Sequence, residues 1–377
     1  MRLWAVVAVF LMALVATACS DDDAINPGAS SVSAGSLGSG PASTSSDASS
    51  SSVASVSSVA ASSSVAASSS VAASSSAAVS SSAAVSSSAV SSSASSEDSL
   101  VPSYPLVTVP AGQFTQQTSD GAAFLHSLDA FQIGVYEVAY EVWYKVQVWA
   151  MTNGYNFANL GRQAGTATGG TVPVEATKSV PVFYVNWRDA IVWCNAFSEL
   201  VGFSPVYYAD PGFTTLLRDS RYDNAAQCDA ACARWEASGY RLPTEAEWQY
   251  AASYIDGNAW TSYQFVSGAG STDEAEINRL AWTWLNAVNE LRPVGQLDAN
   301  ALGLHDMSGN LSEWCWDWKG DLPATAQANY RGPATGTERI HRGGGHIRPP
   351  EDAQVGYRCF LGPGFGGNNI GFRLARK

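Results

Sequence analysis

The sequence predicts a mixed helix-and-strand domain held on a long disordered tether. Three observations predict it. Composition switches near residue 104, beyond which lie twelve of the thirteen tryptophans, Trp4 being the exception. Short apolar runs broken by Pro-Ala-Gly and Gly turns read as strands. Two longer runs carry helical periodicity with capping residues at their starts.

At the N-terminus, Arg2 provides a short positive region, and Leu3 to Val15 is an apolar stretch short for a membrane-spanning helix. It ends in Ala16-Thr17-Ala18, directly before Cys19. The arrangement resembles a bacterial lipoprotein signal. That resemblance implies a signal over residues 1–19 and Cys19 as the lipidated first residue of the mature protein, bound to membrane through its lipid. Residue 20 is Ser, not the Asp of inner-membrane retention, so the implied destination is the outer membrane or cell surface. A plain signal peptide with an incidental cysteine is the alternative.

Residues 20–103 repeat a Val-Ala-Ala-Ser-Ser-Ser unit and contain no aromatic residue, Lys or Arg. Such a stretch buries too little apolar area to offset the entropy of ordering, so it reads as a tether. Its typical reach is on the order of 50 Å, from about 5–6 Å times the square root of residue number. With Arg2 and the acidic residues of the tether set aside, the formal charge falls from −13 to −8 for residues 104–377. An acidic domain without a basic patch argues against nucleic acid.

The remaining residues, 104–377, are ample for one core. "LVTVPAGQF" and "DAFQIGVYEVAY" read as short strands. "NWRDAIVWCNAFSEL" places Trp187, Ala190, Ile191, Cys194 and Phe197 on one helical face, with Asn186 as N-cap and Gly202 soon after its end. "TEAEWQYAASY" opens with a capping box in which Thr244 accepts from the amide of Glu247 and the Glu247 carboxylate reaches back. Glu245 and Glu247 therefore read as helix-start acids rather than paired catalytic carboxylates. Trp187 and Trp314 read as core.

"VPAGQF", "GVYEVAYEVWYKV", "PVFYVNWRDAIVWCNAFSELVG", "GYRLPTEAEWQYAA", "RPVGQLDANALGLHDMSGNLSEWCWDW", "HRGGG" and "NNIGFRLAR" follow the order seen in formylglycine-generating enzymes, the sulfatase-modifying factors. The resemblance covers nearly all of 104–377. It implies a compact α+β domain of C-type-lectin-like topology, low in regular secondary structure. Many members do no chemistry, so the fold alone does not give function.

Active members of that family carry two copper-binding cysteines after Arg-Gly-Gly-Ser, because soft thiolates suit Cu(I). Here the Ser position is Gly345, and the two cysteine positions hold Arg348 and Ala353. The only cysteine after Arg342 is Cys359, and one thiolate cannot replace a pair. Copper is not expected, and no catalytic residue is assigned. A formylglycine-generating or related oxidase is the alternative that the resemblance alone would suggest, and a structural envelope lipoprotein is a third.

Other chemistries find less. The four histidines, 126, 305, 341 and 346, form no His-x-x-x-His-x-Glu. There is no Gly-x-Ser-x-Gly elbow, and no helical segment follows the Gly-rich Gly362 to Gly367 to offer its N-terminus to phosphate. Cys228 and Cys232 permit a local disulfide or two thiols. Cys194 and Cys315 lie in core-like segments, and no zinc spacing is visible. In "HDMSGNLSEW" the resemblance implies one calcium site, on the side chains of Asp306 and Glu313 and the carbonyls of Gly309 and Leu311. Mixed oxygen ligands suit calcium, and Gly309 permits the tight turn. The alternative is that both carboxylates satisfy local protein donors.

The C-terminal segment 346–369 carries the functional expectation. "RCFLGPGFGGNNIGFR" aligns with asparagine-rich endings of related non-catalytic domains, with Cys359, Phe360, Leu361, Gly362, Phe365 and Gly367 where Asn is expected. Each of these residues, and His346, Ile347, Arg348 and Pro349, is reachable from an Asn codon by changing adenines alone. None of Met, Trp, Lys, Gln or Glu, which such changes cannot produce, occurs at these positions. The pattern resembles the variable proteins of diversity-generating retroelements. It implies a surface-displayed patch of His346, Ile347, Arg348, Pro349, Tyr357, Arg358, Cys359, Phe360, Leu361 and Phe365 that binds a protein or glycan ligand at the cell surface. Apolar anchors with arginine suit such a role. The alternative is that Phe360, Leu361 and Phe365 pack inward.

Overall fold

The computed structural model describes residues 102–377. The signal segment, Cys19 and nearly all of the 20–103 tether lie outside the described residues. The described chain is α+β, with short elements and long connections.

Its strands are β1 (Leu106–Val109), β2 (Gly112–Gln117), β3 (Ala123–Leu128), β4 (Phe131–Gly134), β5 (Tyr207–Tyr208), β6 (Cys232–Ala233), β7 (Ser312–Trp318), β8 (Gln327–Ala328), β9 (Arg339–Arg342), β10 (Cys359–Leu361), β11 (Ile370–Gly371) and β12 (Ala375–Arg376). Its helices are α1 (Tyr140–Thr152), α2 (Trp187–Leu200), α3 (Ala225–Asp229), α4 (Glu245–Ser253) and α5 (Glu274–Leu280). The strands form sheets in the orders β1-β4-β12, β10-β9-β7-β11, β2-β3-β8 and β5-β6.

Local chemistry explains the two anticipated helices. In α2 the Asn186 side chain accepts from the Asp189 amide at 2.8 Å, and the Asp189 carboxylate accepts from the Asn186 amide at 3.1 Å. In α4 Thr244 and Glu247 exchange the same pair of bonds at 3.1 and 2.8 Å. Each reciprocal pair satisfies two backbone donors that a helix start leaves unbonded.

One expectation is corrected. The run "DAFQIGVYEVAY" is a strand only over Phe131–Gly134, and Tyr140 begins helix α1. The aromatic and β-branched residues of this helix suit a strand by propensity, and Ala139 offers no side-chain cap. Tertiary packing decides instead: the Trp143 indole stacks on Trp193 of α2 with centroids 5.5 Å apart. Both are fully buried, as are Trp187 and Trp314.

The sheet β10-β9-β7-β11 positions the C-terminal segment. β11 runs parallel to β7, pairing Ile370 with Ser312, and β10 runs antiparallel to β9, pairing Phe360 with Ile340. The segment expected to vary thus leaves and re-enters one sheet.

Candidate ligand-binding site

The site begins where β9 ends. Arg342 is fully buried and donates to the Gln249 side chain at 2.6 Å and to the carbonyls of Val355 and Tyr357. Gly343 and Gly344 have φ of +93° and +77°, a region glycine enters without penalty. A Cβ on Gly345 would fall 2.0 Å from the Asn369 side chain. A Ser here, as active enzymes are expected to carry, would require the Asn369 side chain to move aside.

The two places of the copper thiolates are filled otherwise. Arg348 pairs with Asp352 at 2.9 Å. Ala353 is fully buried in a small apolar cluster with Val266, Ile277 and Leu280. An ion pair and a methyl group supply no soft ligand.

The expected patch residues are less exposed than the sequence suggested, and the structure does not bring them onto one face. His346 is buried, with its Nδ1 3.0 Å from the Asn310 carbonyl, and burial holds its pKa below the usual value. Ile347, Pro349 and Tyr357 are half-buried. Arg358 is a bidentate partner of Glu245, at 2.6 and 2.8 Å, rather than an unengaged rim cation. Cys359 is buried. Phe360, Leu361 and Phe365 are half-buried, not an open apolar patch.

The reason lies in the pairing of β10. Successive side chains on a strand point to opposite faces. Leu361 packs on the core beneath α2, joined there by Phe365, while Phe360 packs on the second core, beneath α4. The Lys319 ammonium sits 3.1 Å from the Phe360 ring centroid and pairs with Glu338 at 2.8 Å. Lys319 carried no sequence signal as a site residue. The Gly-rich loop that follows is pinned where Tyr184 donates to the Gly367 carbonyl at 2.9 Å.

Under Leu361 lies a small cleft that sequence reasoning missed. Ser312, His341, Arg348, Asp352 and Asn369 line it. The Ser312 hydroxyl is 2.5 Å from His341 Nδ1 and donates to the Arg342 carbonyl at 3.1 Å. Burial, then the charges of Arg348 and Arg342, push the His341 pKa down to about 3. His341 Nε2 has no hydrogen-bond partner among the described residues. The only hint in the sequence was His341 in the alternating strand "RIHR".

The implied calcium ligands form a different arrangement. Both Glu313 oxygens are bound by the Arg373 guanidinium, and the Trp248 indole N–H adds a bond at 2.8 Å. Asp306 accepts from the Gly295 amide at 2.7 Å, and burial raises its pKa. Glu137 lies close enough for Asp306 and Glu313 to add to the upward shift that burial gives its carboxyl. This donor set fits an ion-paired cluster: calcium would require Arg373 to release Glu313. Among the described residues no group of three or more His, Cys, Asp or Glu is placed to hold a metal ion.

Cys228 and Cys232 are both free thiols, so the local disulfide does not form. Among the described residues no helix is long and apolar enough to cross a membrane.

Comparison with known proteins adds four findings. Residues 92–377 match the sulfatase-modifying factor enzyme 1-like domain. A chaperone protein LppX of Paenibacillus barcinonensis is 32% identical over 295 residues, spanning 72% of this chain and 89% of its own. Among solved structures, Treponema denticola variable protein 1 has a TM-score of 0.57 and 31% identity, covering 72% of this chain and 95% of that one. The formylglycine-generating enzyme of Bos taurus is 25% identical over 303 residues, covering 73% of this chain and 75% of that enzyme.

Proposed function

The chain belongs to the sulfatase-modifying factor enzyme 1-like domain family, and from that premise we propose that it is a non-catalytic, surface-tethered lipoprotein whose C-terminal segment 346–369 binds a protein or glycan ligand. The observation that carries the reading is the occupancy of the copper positions: Arg348 is engaged by Asp352 and Ala353 is buried in apolar surroundings. No thiol pair is left for the family's oxidation. The same segment carries half-buried Phe360, Leu361 and Phe365, and its Leu361 and Arg348 line one small polar cleft, a combination suited to recognition.

Anchoring through Cys19 and display at the outer membrane or cell surface are part of this proposal, as is diversification of the segment by a retroelement. The relative named a variable protein supports the diversification. The relative named a chaperone supports a second form of the same reading, in which the ligand is a client polypeptide.

The test is a binding profile of the full chain and of a variant carrying Phe360→Asn, Leu361→Asn and Phe365→Asn, measured on protein and glycan arrays after both are shown to be folded. The variant is expected to lose the contacts that the wild type makes. An identical profile would remove the segment from recognition. Metabolic labelling with palmitate, abolished by Cys19→Ala, checks the anchor.

A further inference from the structure

We infer that a second recognition site, outside residues 346–369, lies in the groove between α3 and the 331–336 loop and takes an acidic peptide: an apolar side chain against its indoles, with an adjacent carboxylate on Arg331. The inference rests on the ligand-binding reading above but uses none of the residues proposed there.

Trp235, Trp316 and Trp318 form part of the groove, and Ala226, Ala230 and Gly332 among others give it low rims. Trp316 and Trp235 meet edge to face, with centroids 5.6 Å apart, and both are half-buried. Small rims let an extended chain approach the rings closely. Two of the groove's polar side chains are already engaged, Asp229 by Arg188 and Arg339 by the carbonyls of Trp316 and Asp229, so sugar hydroxyls would find few unengaged charged partners besides Arg331. That weighs against a saccharide.

Charge selects the ligand further. Arg331 is exposed and lies 4.1 Å from the Trp235 centroid, with no ion pair among the described residues. Arg339 lies between the indoles of Trp187 and Trp318, at 3.6 and 3.3 Å from their centroids. It is 1% exposed, makes no ion pair among the described residues, and its Nε has no hydrogen-bond partner there. The one carboxylate of the groove, Asp229, is held by Arg188 at 2.7 and 2.8 Å and is thereby neutralised. The groove therefore carries two arginines without carboxylate partners, in a domain that is otherwise acidic. An arginine beside an apolar, aromatic surface binds a carboxylate bidentately, and the partly excluded water strengthens the bond.

The experiment uses the full chain and fluorescein-labelled Asp-Leu-Glu-Phe-Asp, read by fluorescence anisotropy. The controls are the Lys-Leu-Lys-Phe-Lys peptide and an unlabelled polygalacturonate competitor. The acidic peptide is expected to bind at least tenfold more tightly than the basic one. Arg331→Gln should weaken it at least tenfold without lowering Tm, whereas the triple variant at Phe360, Leu361 and Phe365 should change it less than twofold. Equal affinity for the two peptides, or unchanged affinity in Arg331→Gln, would overturn the assignment. So would displacement by polygalacturonate at lower carboxylate concentration than by unlabelled peptide, which would make the groove a saccharide site. The array profile of the triple variant is read separately, so failure of one reading does not imply failure of the other.

Discussion

Arg373 and Glu313 meet in a fully buried bidentate ion pair, with both nitrogen–oxygen distances 2.6 Å. The pair ties the C-terminal "IGFR" to the "GNLSEW" strand and closes the sheet that carries the candidate site. Arg373 also donates to the carbonyls of Gly134 and His305, at 3.0 and 2.9 Å, so one side chain joins three parts of the fold.

Removing one partner of such a pair leaves a buried charge uncompensated. Glu313→Ala should therefore cost about 3–5 kcal/mol of stability, read from urea melts. Chelator should leave the wild-type melting temperature unchanged, because protein donors already hold the Glu313 oxygens. A chelator-induced fall in melting temperature that Glu313→Ala abolishes would place calcium at Asp306 and Glu313 after all.

Truncations should separate the C-terminal segment from the core. Trp314→Ala removes a wholly buried indole and should cost about 3–5 kcal/mol. Leu361→Ala and Phe365→Ala remove half-buried groups packed on the same core and should cost about 1–2 kcal/mol, between surface and core values. A cost equal to that of Trp314 would make them core residues and remove the physical support for a recognition segment.

The full chain incubated with copper and a Cys-x-Pro-x-Arg peptide should produce no formylglycine by mass spectrometry. The reason is the ion-paired Arg348 and the buried Ala353. Turnover above a protein-free control would return the chain to the enzymes.

Acid should destabilise the domain through His341. Its pKa is pushed down to about 3 in the folded state, while an unfolded histidine titrates near 6.5, as a rough reference value. Between these limits the unfolded chain binds the proton and the folded one does not. Stability is therefore lost as pH falls through this window, by up to about 1.4 kcal/mol per pH unit. Asp317 opposes the trend, since burial and then the nearby Glu245 carboxylate raise its pKa to about 8. A His341→Asn variant isolates the histidine: its stability should fall less between pH 7 and pH 5 than that of the wild type. Equal slopes would mean that His341 titrates alike in both states.

Much of the candidate site was legible as residues but not as an environment. The replacement of two cysteines by Arg348 and Ala353 is visible in one segment of chain. That Arg358 pairs with Glu245 from α4 is not, since this pair joins positions 113 residues apart. The cleft formed by Ser312, His341 and Asn369 was missed for the same reason. Its members come from β7, β9 and the stretch before β11, and none carries a motif of its own.

The sequence by itself determined what depends on neighbours within a few residues. The starts of α2 and α4 are of this kind, because a capping box closes over four positions. So are the order of the family motifs and the loss of the copper pair. Tertiary structure alone decided whether Tyr140–Thr152 would be helix or strand, and whether Phe360, Leu361 and Phe365 would face water or core. It also decided that Glu313 would be held by Arg373. Burial and ion pairing depend on which distant segments fold together, and local propensity holds no information about that choice.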